Sequence, residues 1–359
     1  MYSRSLILGN FHALSGTPDF DLSQHRIHFM PAQTATAGRA LVLGARGGIG
    51  SEIVWQLRQA GWQVRALCRS PAMPGTDASD IDWRQGDALR PDDVMKAAID
   101  CTLIVHAVNP PAYRRWQRQV LPMIDHSIAA ARASGATILL PGTVYNFGPE
   151  SFPLLAEQTP QHPHTPFGAI REALERRLQA AADDGVRSII LRCGDFFGPQ
   201  AGNNWFSQGL IKPGKPVRTI LTPGAPGIGH SWAYLPDVAA TMMALLRIRA
   251  ELPAFARFHM AGHWDPDGRR MTESIRHIAM QYGPAPHIRR FPWPLLGLLA
   301  PFNETLRNTR RMRYLWRQPL QLDNRLLRQT LGQEPHTPWD IAVEASLRGQ
   351  GCLPPEQRG

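Results

Sequence analysis

Short apolar segments alternate with longer amphipathic segments along most of the chain from residue 40 onwards. The apolar segments are rich in branched side chains, which is typical of strands that are buried on both faces of a parallel sheet. The amphipathic segments carry apolar residues at helical spacing, and several of them end at a glycine. We predict strands over 41–43, 63–69, 81–87, 103–108, 137–140 and 186–192, and helices over 51–60, 92–99, 116–134 and 167–183.

The alternation predicts an α/β protein with a Rossmann-type, doubly wound parallel sheet. It fades after Cys193, where the chain becomes rich in Gly and Pro. We therefore expect a dinucleotide-binding domain over 39–193 that is completed by about 231–260. A smaller, mostly C-terminal substrate-binding lobe is expected from 194–230 and 261–350.

Residues 1–38 have an irregular pattern and are predicted to form a poorly ordered extension. The apolar stretch Leu6–Leu8 is too short for the core of a cleavable signal. One hypothesis is that translation starts at Met30, so that residues 1–29 are not part of the native protein.

A glycine-rich turn separates the first predicted strand from the first helix. Gly44 permits the tight turn, Gly47 lets a pyrophosphate approach the backbone, and Gly50 lets the helix pack closely on the strand. A turn without any ligand can have the same pattern, but the flanking strand and helix favour a diphosphate at the helix N-terminus. The residues predicted to contact the cofactor here are Gly44, Arg46, Gly47, Gly48, Ile49 and Gly50.

The residue that ends the second predicted strand, Arg69, indicates which dinucleotide is bound. An acidic side chain at this place would bind both ribose hydroxyls and select NAD, whereas a guanidinium suits a 2′-phosphate. Arg46 can add a second positive group to the same phosphate. We therefore predict NADP(H) over NAD(H), against the alternative that both arginines are simply solvated.

The formal net charge of +10 invites a nucleic-acid hypothesis, but the positive side chains are scattered apart from the run 307–317. A basic surface also suits anionic ligands such as NADP, so we expect no nucleic-acid partner. The four cysteines have no C-x-x-C spacing, which indicates a reducing compartment, with neither structural zinc nor disulfides. No apolar run is long enough to span a membrane, and a cytoplasmic location is expected.

Several later motifs, in their order, carry a family resemblance. They are the glycine turn at Gly44, Gly86-Asp87, His106-Ala107-Val108, Val144-Tyr145 with Gly148, Arg192 to Pro199, and Tyr234 to Ala239. Over roughly residues 40–347 the chain resembles the extended short-chain dehydrogenase/reductases, which include nucleotide-sugar epimerases and dehydratases. The resemblance implies that Asp87 contacts the adenine and that Ala107 lies beside the nicotinamide. It also implies a small-molecule substrate, such as a sugar or another carbonyl or hydroxyl compound, and a possible homodimer through helices 116–134 and 167–183.

The chain departs from this family at its catalytic pair. The family uses a Tyr as general acid/base and a Lys four residues later, on the same helix face. Phe167 and Arg171 stand at these two positions here. None of the tyrosines in the chain is followed four residues later by Lys or Arg. A phenyl ring carries no transferable proton, while Arg171 can still contact ribose hydroxyls.

Other groups must then supply the proton transfer. Tyr145 at the end of the fifth strand ranks first and His164 in the following loop second, with Thr143 as the nearest hydroxyl to orient a substrate oxygen. Packing and solvation are the simpler roles for each of them. The aromatic and amide residues 203–206 and 230–232 can either contact a polar ring or fill the core of the lobe.

Two functional hypotheses from different classes remain. The first is an NADP-dependent oxidoreductase or epimerase/dehydratase-like enzyme that transfers a hydride at the nicotinamide and uses a non-standard acid/base. The second is a catalytically silent NADP(H)-binding redox sensor or regulatory protein. The missing Tyr–Lys pair favours the second hypothesis, whereas the complete substrate lobe favours the first.

Overall fold

The computed structural model describes residues 37–70, 80–110 and 114–354. The expected extension over 1–38, apart from its last two residues, and the hypothesis of a start at Met30 lie outside the described residues. No helix among the described residues is long and apolar enough to cross a membrane.

The strands in chain order are β1 (Arg39–Leu43), β2 (Gln63–Cys68), β3 (Ile81–Gln85), β4 (Leu103–His106), β5 (Thr137–Gly142), β6 (Leu154–Leu155), β7 (Ser188–Arg192), β8 (Asp195–Phe197), β9 (Thr219–Thr222), β10 (His230–Tyr234), β11 (Phe255–His259), β12 (His263–Asp265), β13 (His287–Arg290) and β14 (Gln321–Leu322). The α-helices are α1 (Gly48–Gln59), α2 (Pro91–Ala97), α3 (Trp116–Ser134), α4 (Pro166–Asp183), α5 (Leu235–Arg247), α6 (Arg270–Met280), α7 (Trp293–Leu299), α8 (Glu304–Arg311), α9 (Arg325–Leu331) and α10 (Trp339–Gly349).

Seven strands form one sheet in the order β11-β7-β5-β4-β1-β2-β3, and all neighbours are parallel. The predicted α/β class and parallel sheet are therefore confirmed. The strand order reverses between β1 and β4, and a crevice outside the carboxyl ends of the strands forms at such a reversal. Ligand chemistry in this fold is expected there.

Side chains on β1 alternate between two apolar layers, which is why the sheet is covered on both faces. Ala40 and Val42 belong to the layer under α1 and α5, and Leu41 and Leu43 belong to the layer under α3 and α4. All four are almost completely buried. Helix α3 has the predicted boundaries and ends at Gly135, whose φ of 71° lies in the left-handed region.

The described residues also form three small sheets, β12-β10-β8, β13-β9 and β14-β6. Their strands all follow residue 194 except β6, which lies between β5 and α4. Helix α5 packs on α1, and β11 is the edge strand beside β7. The division into a dinucleotide-binding domain and a substrate lobe stays a prediction, as does the homodimer.

A buried ion pair joins α4 to the carboxyl end of β7. Glu175 accepts two hydrogen bonds from Arg192, at 2.9 and 2.5 Å, and the two side chains are 4% and 0% exposed. The same carboxylate also accepts from Asn146, in the turn after β5, and from Arg257 on β11. One network of charged and polar side chains thus fixes α4, which carries Phe167 and Arg171, relative to β5, β7 and β11.

We predict that Glu175→Gln destabilises the protein by about 3–5 kcal/mol, because it leaves a buried guanidinium without its counter-charge. Glu172→Gln is the matched control on the same helix, since its partner Arg176 is 67% exposed. The control is expected to cost less than about 1 kcal/mol. Chemical denaturation of both variants measures the difference, and equal stabilities would contradict the structural role given to Glu175.

Candidate active site

In the glycine turn after β1, two glycines lie so close to neighbouring backbone that a side chain would not fit. Gly44 has a φ of +86°, and a Cβ at that position would lie 2.6 Å from the carbonyl oxygen of Ala107, just after β4. A Cβ on Gly50 would lie 2.1 Å from the carbonyl oxygen of Gly44. Both contacts require glycine, and together they hold α1 directly against the ends of β1 and β4.

Gly47 is the N-cap of α1 and is exposed. A Cβ there would meet only the carbonyl oxygen of Gly44, at 3.2 Å. The first turn of α1 contains no acidic residue that would compete with an anion. The positive end of the helix dipole and an uncovered backbone therefore fit the diphosphate of a dinucleotide.

The arginines expected to select the cofactor lie beside this turn. Arg46 is exposed, and its guanidinium lies over the ring of Trp83 on β3, 5.1 Å from the ring centroid. Arg69 is exposed directly after β2. Asp87 follows β3, and its carboxylate accepts a hydrogen bond from the Leu89 N–H at 3.0 Å. These positions follow adjacent strands at one edge of the sheet, where an adenosine half would lie.

A cavity of about 310 Å³ opens at the carboxyl ends of β4, β5 and β7. Its size lies at the lower end of the range for small-molecule sites. Aromatic and aliphatic side chains form part of its wall, and amide, hydroxyl and carboxylate groups form the rest. Its lining residues include Asn109, Thr143, Tyr145, Asp195, Asn203, Asn204 and Trp205.

Two predicted site residues, Thr143 and Tyr145, line this cavity. The Thr143 hydroxyl donates to the Asn146 side-chain oxygen at 3.3 Å and accepts from the Tyr145 N–H at 3.4 Å. Its position is therefore set by the turn after β5. Tyr145 is half-buried and presents its ring to the cavity beside Trp116, with 6.4 Å between ring centroids.

Phe167 and Arg171 lie one turn apart on α4, as predicted. Phe167 is buried edge-to-face against Trp116, at 5.3 Å, and is not among the residues that line the cavity. Arg171 is buried, donates a hydrogen bond to the Asn109 side-chain oxygen at 3.1 Å and lies over the ring of Trp116. The guanidinium thereby positions Asn109 at the cavity wall.

The histidines considered from the sequence lie elsewhere. His164 is exposed and packs on Tyr314, with 5.1 Å between ring centroids, and is not among the lining residues. His106 is buried beneath the sheet end, 2.8 Å from the Ser127 hydroxyl. Burial and the charge of Arg171 lower the pKa of His106 to about 3, so it is a neutral core residue at physiological pH.

The sequence reasoning missed a carboxylate–imidazole pair. Asp195 lines the cavity, and its Oδ2 lies 2.7 Å from Nε2 of His230. The His230 ring stacks on Trp316, with 3.8 Å between centroids and planes 9° apart. Both side chains are largely buried. The available sequence signal was an acidic residue three positions after Arg192, the last residue of β7.

The aromatic and amide residues of 203–206 and 230–232 divide between the cavity wall and the core. Trp205 lines the cavity together with Asn203 and Asn204, although it is itself only 7% exposed and packs into the same apolar core. Phe206 and Trp232 are core residues, with 0% and 2% exposure. Only part of the expected aromatic surface is thus available to a ligand.

Comparison with known proteins agrees with this architecture. The model of the NAD-dependent epimerase/dehydratase family matches residues 40–255. A 3-diazoavenalumate denitrifying reductase from a Streptomyces species is 29% identical over 180 residues, which cover 46% of this chain and 58% of that protein. The UDP-glucose 4-epimerase of Azospirillum brasilense is 31% identical over 180 residues, which cover 45% of this chain and 50% of that protein. The chain thus spans about half the length of these relatives.

The solved structures confirm the fold. The UDP-glucose 4-epimerase of Thermus thermophilus, in complex with NAD, superimposes with a TM-score of 0.65 at 20% identity. The match covers 87% of this chain and 98% of that one. The resemblance to extended short-chain dehydrogenase/reductases is confirmed, whereas the equivalence of Phe167 and Arg171 to the family's Tyr and Lys stays a prediction.

We predict that Gly50→Ala weakens dinucleotide binding at least about tenfold, since the added methyl group would force α1 away from Gly44 and enlarge the phosphate site. Gly283→Ala is the control, because a Cβ at that position has open space. Titration of NADPH against both variants by fluorescence measures the effect. Wild-type affinity in Gly50→Ala would place the dinucleotide elsewhere.

Proposed function

The chain belongs to the NAD-dependent epimerase/dehydratase family, and we propose that it is an NADP(H)-dependent oxidoreductase or epimerase-like enzyme. Its substrate is a small polar molecule with a hydroxyl or carbonyl group, and a nucleotide sugar is one such molecule. The observation that carries this proposal is a cavity at the carboxyl ends of β4, β5 and β7 that is lined by Asp195, whose carboxylate is hydrogen-bonded to His230 behind it.

The cofactor assignment rests on the turn after β1. The open backbone at Gly47, the N-terminus of α1 and the exposed guanidinium of Arg46 suit a phosphorylated dinucleotide. When bound, a nicotinamide dinucleotide supplies a hydride donor or acceptor. Arg69 favours the 2′-phosphate of NADP, because it offers only hydrogen-bond donors where NAD would need an acceptor.

Asp195 and His230 support proton transfer without the family's tyrosine. Nε2 of His230 lies 2.7 Å from Oδ2 of Asp195, so the imidazole can donate a hydrogen bond that orients the carboxylate. The carboxylate can take a proton from a substrate hydroxyl as it is oxidised and return it to a carbonyl oxygen in the reverse direction. The stacked ring of Trp316 restrains the imidazole behind it.

The remaining cavity wall indicates the class of substrate. The ring of Trp205 and the side-chain amides of Asn203 and Asn204 supply an apolar face beside hydrogen-bonding groups. This combination suits a hydroxylated ring, which presents both C–H and O–H surfaces. The names of the epimerase relatives agree with a sugar, and that of the reductase relative agrees with reduction of another polar compound.

We predict that Arg69→Asp lowers the preference for NADPH over NADH by about tenfold or more, because a charge-assisted contact becomes a repulsive one. Arg132→Asp is the control, because it makes the same change of charge at a residue in the last turn of α3 that is 50% exposed. Dissociation constants for both dinucleotides give the ratio. An unchanged ratio in Arg69→Asp would remove this residue from the cofactor site.

We predict that Asp195→Asn lowers turnover by roughly 10²–10⁴-fold while the affinity for NADPH is unchanged, because the amide cannot accept the proton. Absorbance loss of NADPH with a panel of nucleotide sugars and carbonyl compounds measures turnover. Asp340→Asn, in the first turn of α10, is the surface control.

Tyr145→Phe separates the two candidate proton donors. If it loses turnover and Asp195→Asn does not, the proton transfer belongs to Tyr145. Tight NADPH binding by the wild-type protein without any turnover on the panel would instead favour the redox-sensor hypothesis.

A further inference from the structure

Three elements converge on a second cluster of polar side chains that the proposed reaction does not use. Asp237 lies in the first turn of α5, His263 is the first residue of β12, and His336 lies in the segment before α10. One oxygen or nitrogen from each of the three lies within 4.8 Å of the others. The two imidazole ring centroids are 4.2 Å apart.

The imidazole of His263 is the least satisfied member of the cluster. Its side chain is 1% exposed, and Nε2 has no hydrogen-bond partner among the described residues. Oδ2 of Asp237 is 3.6 Å from this nitrogen, which is too long for a hydrogen bond. A buried ring nitrogen aimed at a carboxylate without bonding to it is unfavourable unless something lies between them.

The carboxylate of Asp237 is held in place by the C-terminal segment. Thr337 donates its N–H to Oδ2 at 2.8 Å and its hydroxyl to Oδ1 at 2.7 Å. Such hydrogen bonds orient a metal-binding carboxylate and leave it further lone pairs. Glu334 reinforces the arrangement by accepting from the N–H groups of Ala261 and Gly262.

The third group, His336, lies at the exposed side of the cluster, and its ring is tilted by 34° to that of His263. An imidazole nitrogen is a common ligand of transition metals. The guanidinium of Arg270 also lies near the cluster, over the ring of Trp339 and 4.3 Å from its centroid.

We propose that Asp237, His263 and His336 bind a divalent transition-metal ion such as Zn²⁺. Two imidazole nitrogens and one carboxylate oxygen are a donor set that this ion takes. Ligand atoms around a tetrahedral zinc ion are about 3.3 Å apart, and the 3.6 Å separation of His263 from Asp237 is close to that value. His336 is exposed, so its ring can adjust to complete the site.

The ion holds the C-terminal segment against α5 and β12. That segment leads into α10, and Gln350, directly after this helix, donates to the carbonyl oxygens of Pro199 and Ala201 at 3.1 and 3.0 Å. The loop at Gln200 in turn lies against Gly48 of the glycine turn. The site is therefore structural and stabilises the wall of the cofactor crevice from behind. It also revises the expectation of no structural zinc, which rested only on cysteine spacing.

The test uses full-length protein that has been stripped with a chelator and dialysed. Titration with ZnCl₂ by calorimetry is expected to show one site per chain, and CoCl₂ is expected to give the visible absorption bands of a protein-bound ion. A hundredfold excess of zinc over its Kd is expected to raise Tm by roughly 3–4 °C. Absence of stoichiometric binding by the wild-type protein would overturn the proposal.

Two variants assign the site. His336→Ala and His263→Gln are each expected to weaken zinc binding at least about tenfold and to abolish the Tm increase, whereas the exposed His277→Ala on α6 binds as the wild type does. His336→Ala removes an exposed side chain, so its result stands even if His263→Gln does not fold. Wild-type zinc affinity in His336→Ala would contradict the assignment.

Discussion

The buried ion pair between Glu175 and Arg192 is the constraint on which the candidate site depends. Removing two charges from water is unfavourable unless they are paired with good geometry, and this pair is bidentate and supported by Asn146 and Arg257. Its members belong to α4 and β7, so their pairing fixes the helix that carries Arg171 relative to the strand end that leads to Asp195. The cavity is lined by Asp195 and by Asn109, to which Arg171 donates a hydrogen bond, so relaxation of the pair would shift both of these wall residues.

The two halves of the candidate site follow different physical rules. The cofactor half depends on the absence of side chains, since Gly44 and Gly50 allow backbone contacts that no other residue permits. The substrate half depends on side-chain chemistry, in which Phe167 contributes only packing and Asp195 supplies the carboxylate that faces the cavity. The dinucleotide site can therefore stay intact while the reacting groups beside it differ from those of the resembled family.

The regular part of the fold could be predicted because its signal is local. The apolar strands, the boundaries of α3 and the separate roles of Gly44 and Gly50 all follow from spacing along the chain. The Asp195–His230 pair could not be predicted in this way, because β8 is only three residues long and joins β10 by parallel pairing of Asp195 with Trp232. The cluster of Asp237, His263 and His336 has the same origin, since β12 pairs with β10 and brings His263 to the start of α5. The sequence pattern also did not distinguish Trp205 from Phe206 as a residue that contacts a ligand, whereas in the structure only Trp205 lines the cavity.

A crystal structure of the protein with NADPH bound tests the central claim most directly. The account predicts that the diphosphate lies at the N-terminus of α1, that the 2′-phosphate contacts Arg69, and that the nicotinamide ring enters the cavity beside Tyr145 and Asp195. A dinucleotide bound away from Gly47, or a nicotinamide ring that lies outside this cavity, would contradict it.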